Sequence, residues 1–328
     1  MKMIRLLTER DVEQALAGVD LVGLMAEALR AYSAREVVQP TRTVVSVGPD
    51  QAFFGVMPAY VPAREALGAK LVSVFNRNRE RGAPTHAAVV LLFDAATGVL
   101  EAVLDGRYIT EVRTAAVSAL AADVLAAGPI RRLAIFGCGA QAASHLRMLV
   151  PRLPALERVR VWSPYEDRLT FVPAMQTQLT VPVSAGTTAA DTARDADLIV
   201  LVTSSTEPVL ALDWVQPGAL VIAVGACRPT HREMDPALVA AARVFVDSRD
   251  AALVESGDIV SGIAEGRFGA DHVRAELGDV LLGRVVARDA PADRVIFKSL
   301  GLAVEDVTVA DVAYRRALET GLGTTWSF

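Results

Sequence analysis

Cysteine is almost absent from this chain of 328 residues, occurring only as Cys138 and Cys227. Two are too few for a disulfide framework, and neither stands at metal-ligand spacing from any of the four histidines, so neither a disulfide nor a metal site is expected. Long apolar runs are missing as well. No stretch approaches the roughly 20 residues that span a bilayer, and the amino terminus lacks the charged, apolar and small-residue succession of a signal peptide, which points to the cytoplasm. The formal net charge of -5 is mild, with acids and bases interspersed. No basic block and no stripe of aromatics with arginines marks a nucleic-acid face. Lysine is scarce too, at Lys2, Lys70 and Lys298, arginine being the default cation. An ammonium inside an apolar segment is therefore a hint that a guanidinium would not serve there.

What the chain does have is apolar patterning. At 52% hydrophobic it is long enough for two packed domains of a soluble globular protein, and small-molecule chemistry is the expected business of such a composition. From Arg131 onward short apolar runs alternate with helical periods, the pattern of βα units around a parallel sheet. Residues 133–136 read as a strand and 141–150 as the helix after it, with further strands at 159–162, 198–203, 219–224 and 244–246, which together make a doubly wound sheet. Before Arg131 the reading is α+β: a helical start over 11–33, then β-rich segments at 43–47, 52–57, 69–75 and 87–93. Thr97-Gly98 separates the last of these from 100–104 and predicts a hairpin, and 114–127 predicts an alanine-rich helix. Helical spacing returns over 304–318 and is stopped by Gly321 and Gly323. No internal repeat is visible, and 151–154 reads as a loop rather than a linker.

The turn Gly137-Cys138-Gly139-Ala140-Gln141-Ala142 joins the first of these strands to its helix. A strand, then G-x-G-x-x-A, then a helix lets the backbone approach a pyrophosphate, with free N–H groups and the positive helix end directed at it. Alone the motif is weak; the βα units around it supply the context that the mechanism requires. The chain is therefore read as a Rossmann-type α/β protein that uses NAD or NADP. An acidic residue just after the second strand would favour NAD, and here the segment is Ser163-Pro164-Tyr165. With no carboxylate at that position and Arg168 available to a 2′-phosphate, NADPH is favoured, while Glu166 or Asp167 one turn on leaves NAD open.

Several segments resemble the ornithine cyclodeaminase and mu-crystallin family: Val38-Gln39-Pro40-Thr41-Arg42, Gly55-Val56-Met57-Pro58, Ala69-Lys70-Leu71-Val72, Thr110-Glu111-Val112-Arg113-Thr114-Ala115-Ala116, the glycine turn, and Phe297-Lys298-Ser299-Leu300-Gly301. They fall in the family's order and cover nearly the whole chain. The resemblance implies a homodimer in which 1–114 and 295–328 form an α+β substrate-binding and dimerisation domain, 115–294 forms the dinucleotide-binding domain, and substrate sits in a cleft between them. By position, Arg42 and Arg113 would clamp a substrate carboxylate, and Lys70 would stand beside the carbon that exchanges hydride, the one catalytic residue assigned. Thr114 would face the cofactor phosphates. An arginine fork suits a carboxylate, and a lysine near a cationic iminium and two arginines is expected to have a depressed pKa suited to proton exchange. His86 is a candidate substrate contact, with a hydrogen-bonded structural histidine as its alternative, and His231 is placed on an exposed loop. Thr203, Cys227 and Leu300 complete the set expected around the cofactor.

Two departures narrow the chemistry that the resemblance implies. Ornithine cyclodeaminases carry a glutamate where this chain has Gly55, and an aspartate where it has Cys227. Cyclodeamination needs a carboxylate to handle the distal ammonium of ornithine, and neither glycine nor cysteine supplies one. The expectation is reduction of a cyclic imino acid, Δ1-pyrroline-2-carboxylate or Δ1-piperideine-2-carboxylate, to L-proline or L-pipecolate. An ornithine cyclodeaminase or alanine dehydrogenase is the enzymatic alternative, and a non-catalytic, crystallin-like binding protein is the alternative of another class.

Overall fold

The computed structural model describes residues 3–48 and 52–327, so Lys2 lies outside the described residues. The chain divides into two units, one running from the amino terminus to Arg113 and resuming at Leu302, the other Thr114–Gly301. The division falls inside a single helix, Gly106–Leu125, which begins eight residues before the expected 114.

The first unit carries strands β1 (Met3–Leu7), β2 (Thr43–Val47), β3 (Ala52–Val61), β4 (Ala66–Val74), β5 (His86–Asp94) and β6 (Leu100–Asp105). The second carries β7 (Arg132–Phe136), β8 (Arg158–Trp162), β9 (Val183–Ala185), β10 (Leu198–Leu201), β11 (Leu220–Ala223), β12 (Arg243–Val246), β13 (Val273–Glu276) and β14 (Val295–Lys298). A last strand, β15 (Thr324–Ser327), returns to the first unit and pairs antiparallel with β1.

In the first unit the sheet order is β15-β1-β6-β5-β4-β3-β2. Its long central strands alternate buried and half-buried residues, as a sheet covered on one face should. One face turns Met57, Lys70, Val72 and Val90 inward, cross-strand neighbours by register. The helix Ala303–Thr320 packs against β3, β4 and β5, ending in a left-handed Gly321. The hairpin between β5 and β6 turns at Thr97-Gly98, with Asp94 accepting from the Ala96 and Thr97 amides. The helical start expected over 11–33 is instead two helices, Glu9–Leu16 and Leu21–Ser33, the first opened by a Thr8 capping box and the second by an Asp20 cap.

The second unit is an eight-stranded, all-parallel sheet in the order β13-β12-β14-β11-β10-β7-β8-β9. Strands β10, β11 and β14 are buried at every residue, which explains their short unbroken apolar runs. From β9 to β11 this is the 3-2-1-4-5 order of a doubly wound dinucleotide fold, with its switch point between β7 and β10; the sixth place is taken by β14, and β12 and β13 lie outside it. Five strands were expected here; β9, β13 and β14 are added. Residues 295–301, expected with the first unit, belong to this one because β14 pairs with both β11 and β12 in the sheet interior. No helix among the described residues is long and apolar enough to cross a membrane.

The glycine turn follows β7. Gly137 has φ +114, a Cβ there would lie 2.8 Å from the Val202 carbonyl oxygen, and its amide donates to the Trp162 carbonyl. A Cβ on Gly139 would meet nothing within 4 Å. Gly137→Ala is therefore expected to cost about 1–3 kcal/mol through backbone strain, and Gly139→Ala to leave stability nearly unchanged. Urea denaturation of the two variants checks this contrast.

Candidate active site

Helix Ala303–Thr320 sets two carboxylates, Glu305 and Asp306, in its first turn, where the helix dipole favours negative charge. Both are fully buried, as is Lys70 at 2% exposure on β4. The Lys70 ammonium lies 2.7 Å from Asp306 Oδ2 and donates to Thr110 Oγ1 at 3.4 Å. Arg113 reaches the same anion from helix Gly106–Leu125, its Nε donating to Asp306 Oδ1 at 3.0 Å and its Nη1 to Glu305 Oε2 at 2.7 Å. Two cations and two anions thus share one dry volume within the first unit.

Their titration follows from this packing. Burial pulls the Lys70 ammonium down to about 8; Arg113 and Arg42 add to the fall, and Asp306 opposes it. Desolvation leads, ahead of the neighbouring cations that were expected to lower it. Burial raises the Asp306 carboxyl, but Arg113 and Lys70 outweigh it and hold the group below its ordinary value. His86, at the start of β5, is held down to about 4 by burial and then by Lys70 and Arg113, which makes it a neutral imidazole. Arg42 is half-buried just before β2. Lys70, Arg113, Arg42 and His86 therefore converge on one electrostatic neighbourhood, whose anions, Glu305 and Asp306, the sequence reading missed. Arg113 is already engaged by both carboxylates, so a substrate carboxylate would have to share its guanidinium with them. An ammonium poised near neutrality can give up and take back a proton, which a fully hydrated lysine does poorly.

The second unit holds the remaining candidates. Gly139 is the N-cap of helix Ala140–Leu149 and offers no side-chain cap, so the first-turn amides of Ala140, Gln141 and Ala142 have no side-chain acceptor at the N-cap. With Gly137 opening the turn and open space at Gly139, these residues fit a dinucleotide pyrophosphate. The helix is tied down by His145, whose Nδ1 donates to the Gln141 carbonyl at 2.7 Å while Nε2 accepts from Ser118 at 2.8 Å. Ser163 is buried just after β8, and Arg168 donates to the Ser163 and Tyr165 carbonyls, which places its guanidinium beside that turn. Glu166 and Asp167 are exposed.

Thr203 and Cys227 lie in the turns after β10 and β11, and Leu300 in the turn after β14, where its amide donates to Asp247 at 2.6 Å. Thr114 is buried in helix Gly106–Leu125. Neither Cys138 nor Cys227 is joined in a disulfide, and burial pushes the Cys138 thiol up to about 12, far from a reactive thiolate. His231, expected on an exposed loop, is instead buried at 8% exposure, because Gly257 brings its chain against the His231 carbonyl oxygen, 2.0 Å from where a Cβ would stand.

Residues 2–321 match the sequence profile of the Ornithine cyclodeaminase/mu-crystallin family. The chain is 43% identical over 280 residues to the ketimine reductase mu-crystallin of Mus musculus, with 85% of each chain covered. Its fold is similar to that of Δ1-pyrroline-2-carboxylate reductase from Thermococcus litoralis in complex with NADH and L-proline, at TM-score 0.94 and 31% identity, covering 98% of this chain and 99% of that one. An archaeal alanine dehydrogenase dimer with bound NAD gives TM-score 0.93 at 29% identity, covering 99% of both.

Removing the anion that two buried cations share should be costly. Asp306→Asn is expected to destabilise the protein by about 3–5 kcal/mol, because Lys70 and Arg113 stay buried with less than one compensating charge each. The urea midpoint reads it, and a loss below about 1 kcal/mol would contradict the pairing as described.

Proposed function

The chain belongs to the ornithine cyclodeaminase/mu-crystallin family, and from that premise we propose that it is an NAD(P)H-dependent reductase of cyclic imino acids, taking Δ1-pyrroline-2-carboxylate or Δ1-piperideine-2-carboxylate to L-proline or L-pipecolate. The observation that carries this reading is the Lys70 ammonium, buried against Asp306 and titrating near 8.

Reduction of a C=N bond needs an electron pair at carbon and a proton at nitrogen. Bound NAD(P)H supplies the electron pair. Lys70 supplies the proton from Nζ and is left as a neutral amine, which burial already favours. Arg42 and Arg113 orient the substrate carboxylate, fixing which face of the ring is presented. Asp306 keeps Lys70 and Arg113 apart in charge and fixed in position, and neutral His86 adds a hydrogen-bonding edge without a further cation.

Reduction is favoured over cyclodeamination by a steric fact as well as a chemical one. Gly55 is buried in β3, and a Cβ there would lie 3.1 Å from Val72 Cγ1, so a glutamate would have to displace its cross-strand neighbour. The other carboxylate position is Cys227, whose thiol is spent on the Val224 carbonyl.

NADPH as the preferred cofactor belongs to the same proposal. It is supported by Arg168 beside Ser163 and by the absence of a carboxylate at the end of β8. Thr114, Gly137, Gly139, Ala140, Gln141, Ala142, Ser163, Thr203, Cys227 and Leu300 are the residues proposed to hold it. A homodimer is proposed as well, on the exposed Val44, Val45 and Val47 of edge strand β2.

Nicotinamide absorbance tests the reading directly. Both cyclic imines should be reduced, with a lower KM for NADPH than for NADH, while ornithine should release no ammonia. Lys70→Met is expected to lower kcat by about 10²–10⁴-fold with the fold retained by circular dichroism. Turnover of ornithine, or full activity of the Lys70 variant, would overturn the assignment.

A further inference from the structure

Glu233 is fully buried in the second unit, eight residues past the turn after β11. Its Oε1 accepts from the Thr203 amide at 2.7 Å and the Thr203 hydroxyl at 2.8 Å, and its Oε2 accepts from the Gly225 and Ala226 amides at 2.8 and 3.0 Å. One side chain thus joins the turn after β10 to the turn after β11. Four donors converge on two oxygens. Only an ionised carboxylate can accept all four, since an amide would turn two hydrogens of its own toward one pair of them.

The anchor is itself held. Asp258 Oδ1 accepts from the Glu233 and Met234 amides at 2.8 and 2.9 Å, and the Glu233 carbonyl accepts from Val209 and Leu210. Lys298, at the end of β14, places its ammonium 3.9 Å from Asp258 Oδ2, and all three side chains are buried. Burial raises both carboxyls above their ordinary values, and the Lys298 charge is the largest influence opposing that rise. Gly225 fits the same design, because a Cβ there would stand 1.9 Å from the Thr203 carbonyl oxygen and 2.5 Å from Glu233 Oε1. No side chain can enter between the two turns.

Position in the sheet says what this brace serves. In a doubly wound fold the residue after the second strand, here β8, reads the adenosine ribose, and the strands beyond the switch point bind the other mononucleotide half. The turns after β10 and β11 lie on that second side. Resting on the dinucleotide-dependent reading above, we propose that Glu233, backed by Asp258 and Lys298, is a positioning residue that shapes the wall for the nicotinamide half of the cofactor and contributes nothing to the adenosine half.

Equilibrium binding separates the two halves without any turnover. Fluorescence titration with NADPH and with 2′-phospho-ADP-ribose, which lacks the nicotinamide ring, is compared for the wild type and Glu233→Gln. The variant should bind NADPH about tenfold or more weakly while its affinity for the fragment changes by less than about twofold. Equal weakening of both probes, or of neither, overturns the proposal and leaves the reductase reading standing. A wild type that binds neither these probes nor NADH and ADP-ribose in their place sinks the reductase reading, and the proposal with it; where only the NADH pair binds, that pair is compared in the same way with the same outcomes. Should Glu233→Gln not fold, Asp258→Asn acts one contact further back and is expected to give the same selectivity at smaller size; equal effects on both probes count against the proposal there too.

Discussion

Moving an ammonium out of water costs several kcal/mol unless an anion is built to meet it, and Lys70 is buried. Much of the first unit answers that constraint. Asp306 stands 2.7 Å away at a helix N-terminus, Arg113 and Glu305 balance the charge, and the sheet face around Lys70 carries Met57, Val72 and Val90, with His86 further along β5. The balance is deliberately incomplete: burial and the neighbouring arginines pull against Asp306, and the result is an amine that titrates near 8. Perfect pairing would have stabilised the cation and left it chemically inert. In the proposed reaction that poise is what lets the Lys70 ammonium give up its proton.

The second unit solves a different problem with a related device. A dinucleotide needs bare backbone at one end of a sheet, yet bare backbone is floppy and its buried amides need acceptors. Two buried carboxylates meet both needs from within the protein. Glu233 braces the turns after β10 and β11, while Asp247 collects the amides of Leu300 and Gly301 and the Ser299 hydroxyl after β14. Rigid turns can then present small residues such as Gly225 and Cys227 without side chains of their own to fix them.

Legibility from the sequence divides along the same physical line. Most of the buried parallel strands and the glycine turn were plain, because their signal is local: a short apolar run, then glycines, then a helical period. So were Lys70 and Arg113, carried by motifs. Strand β9, of three residues, and β13, whose Val-Arg-Ala-Glu holds no unbroken apolar run, were missed for want of a local signal; β14 was missed because Phe297-Lys298-Ser299-Leu300-Gly301 was read as a motif and assigned to the first unit; and β1 and β15 were missed because they pair across more than 300 residues of chain. Glu305 and Asp306 were missed for a subtler reason: acids in a first helical turn look like ordinary dipole partners. Their place inside an otherwise apolar stretch, Ala303-Val304 before and Val307 after, was the readable sign that they are buried. Glu233 was missed because nothing local distinguishes a buried acid from a solvated one.

The pH dependence of imine reduction by the unmodified protein, followed through nicotinamide absorbance from neutral to strongly alkaline solution, tests the role of Lys70 most directly. If Lys70 delivers the proton from its buried site, kcat falls as pH rises through about 8, because the protonated form is lost there. A rate that holds steady until the ordinary lysine value of 10.5, or that shows no alkaline limb, would contradict that role.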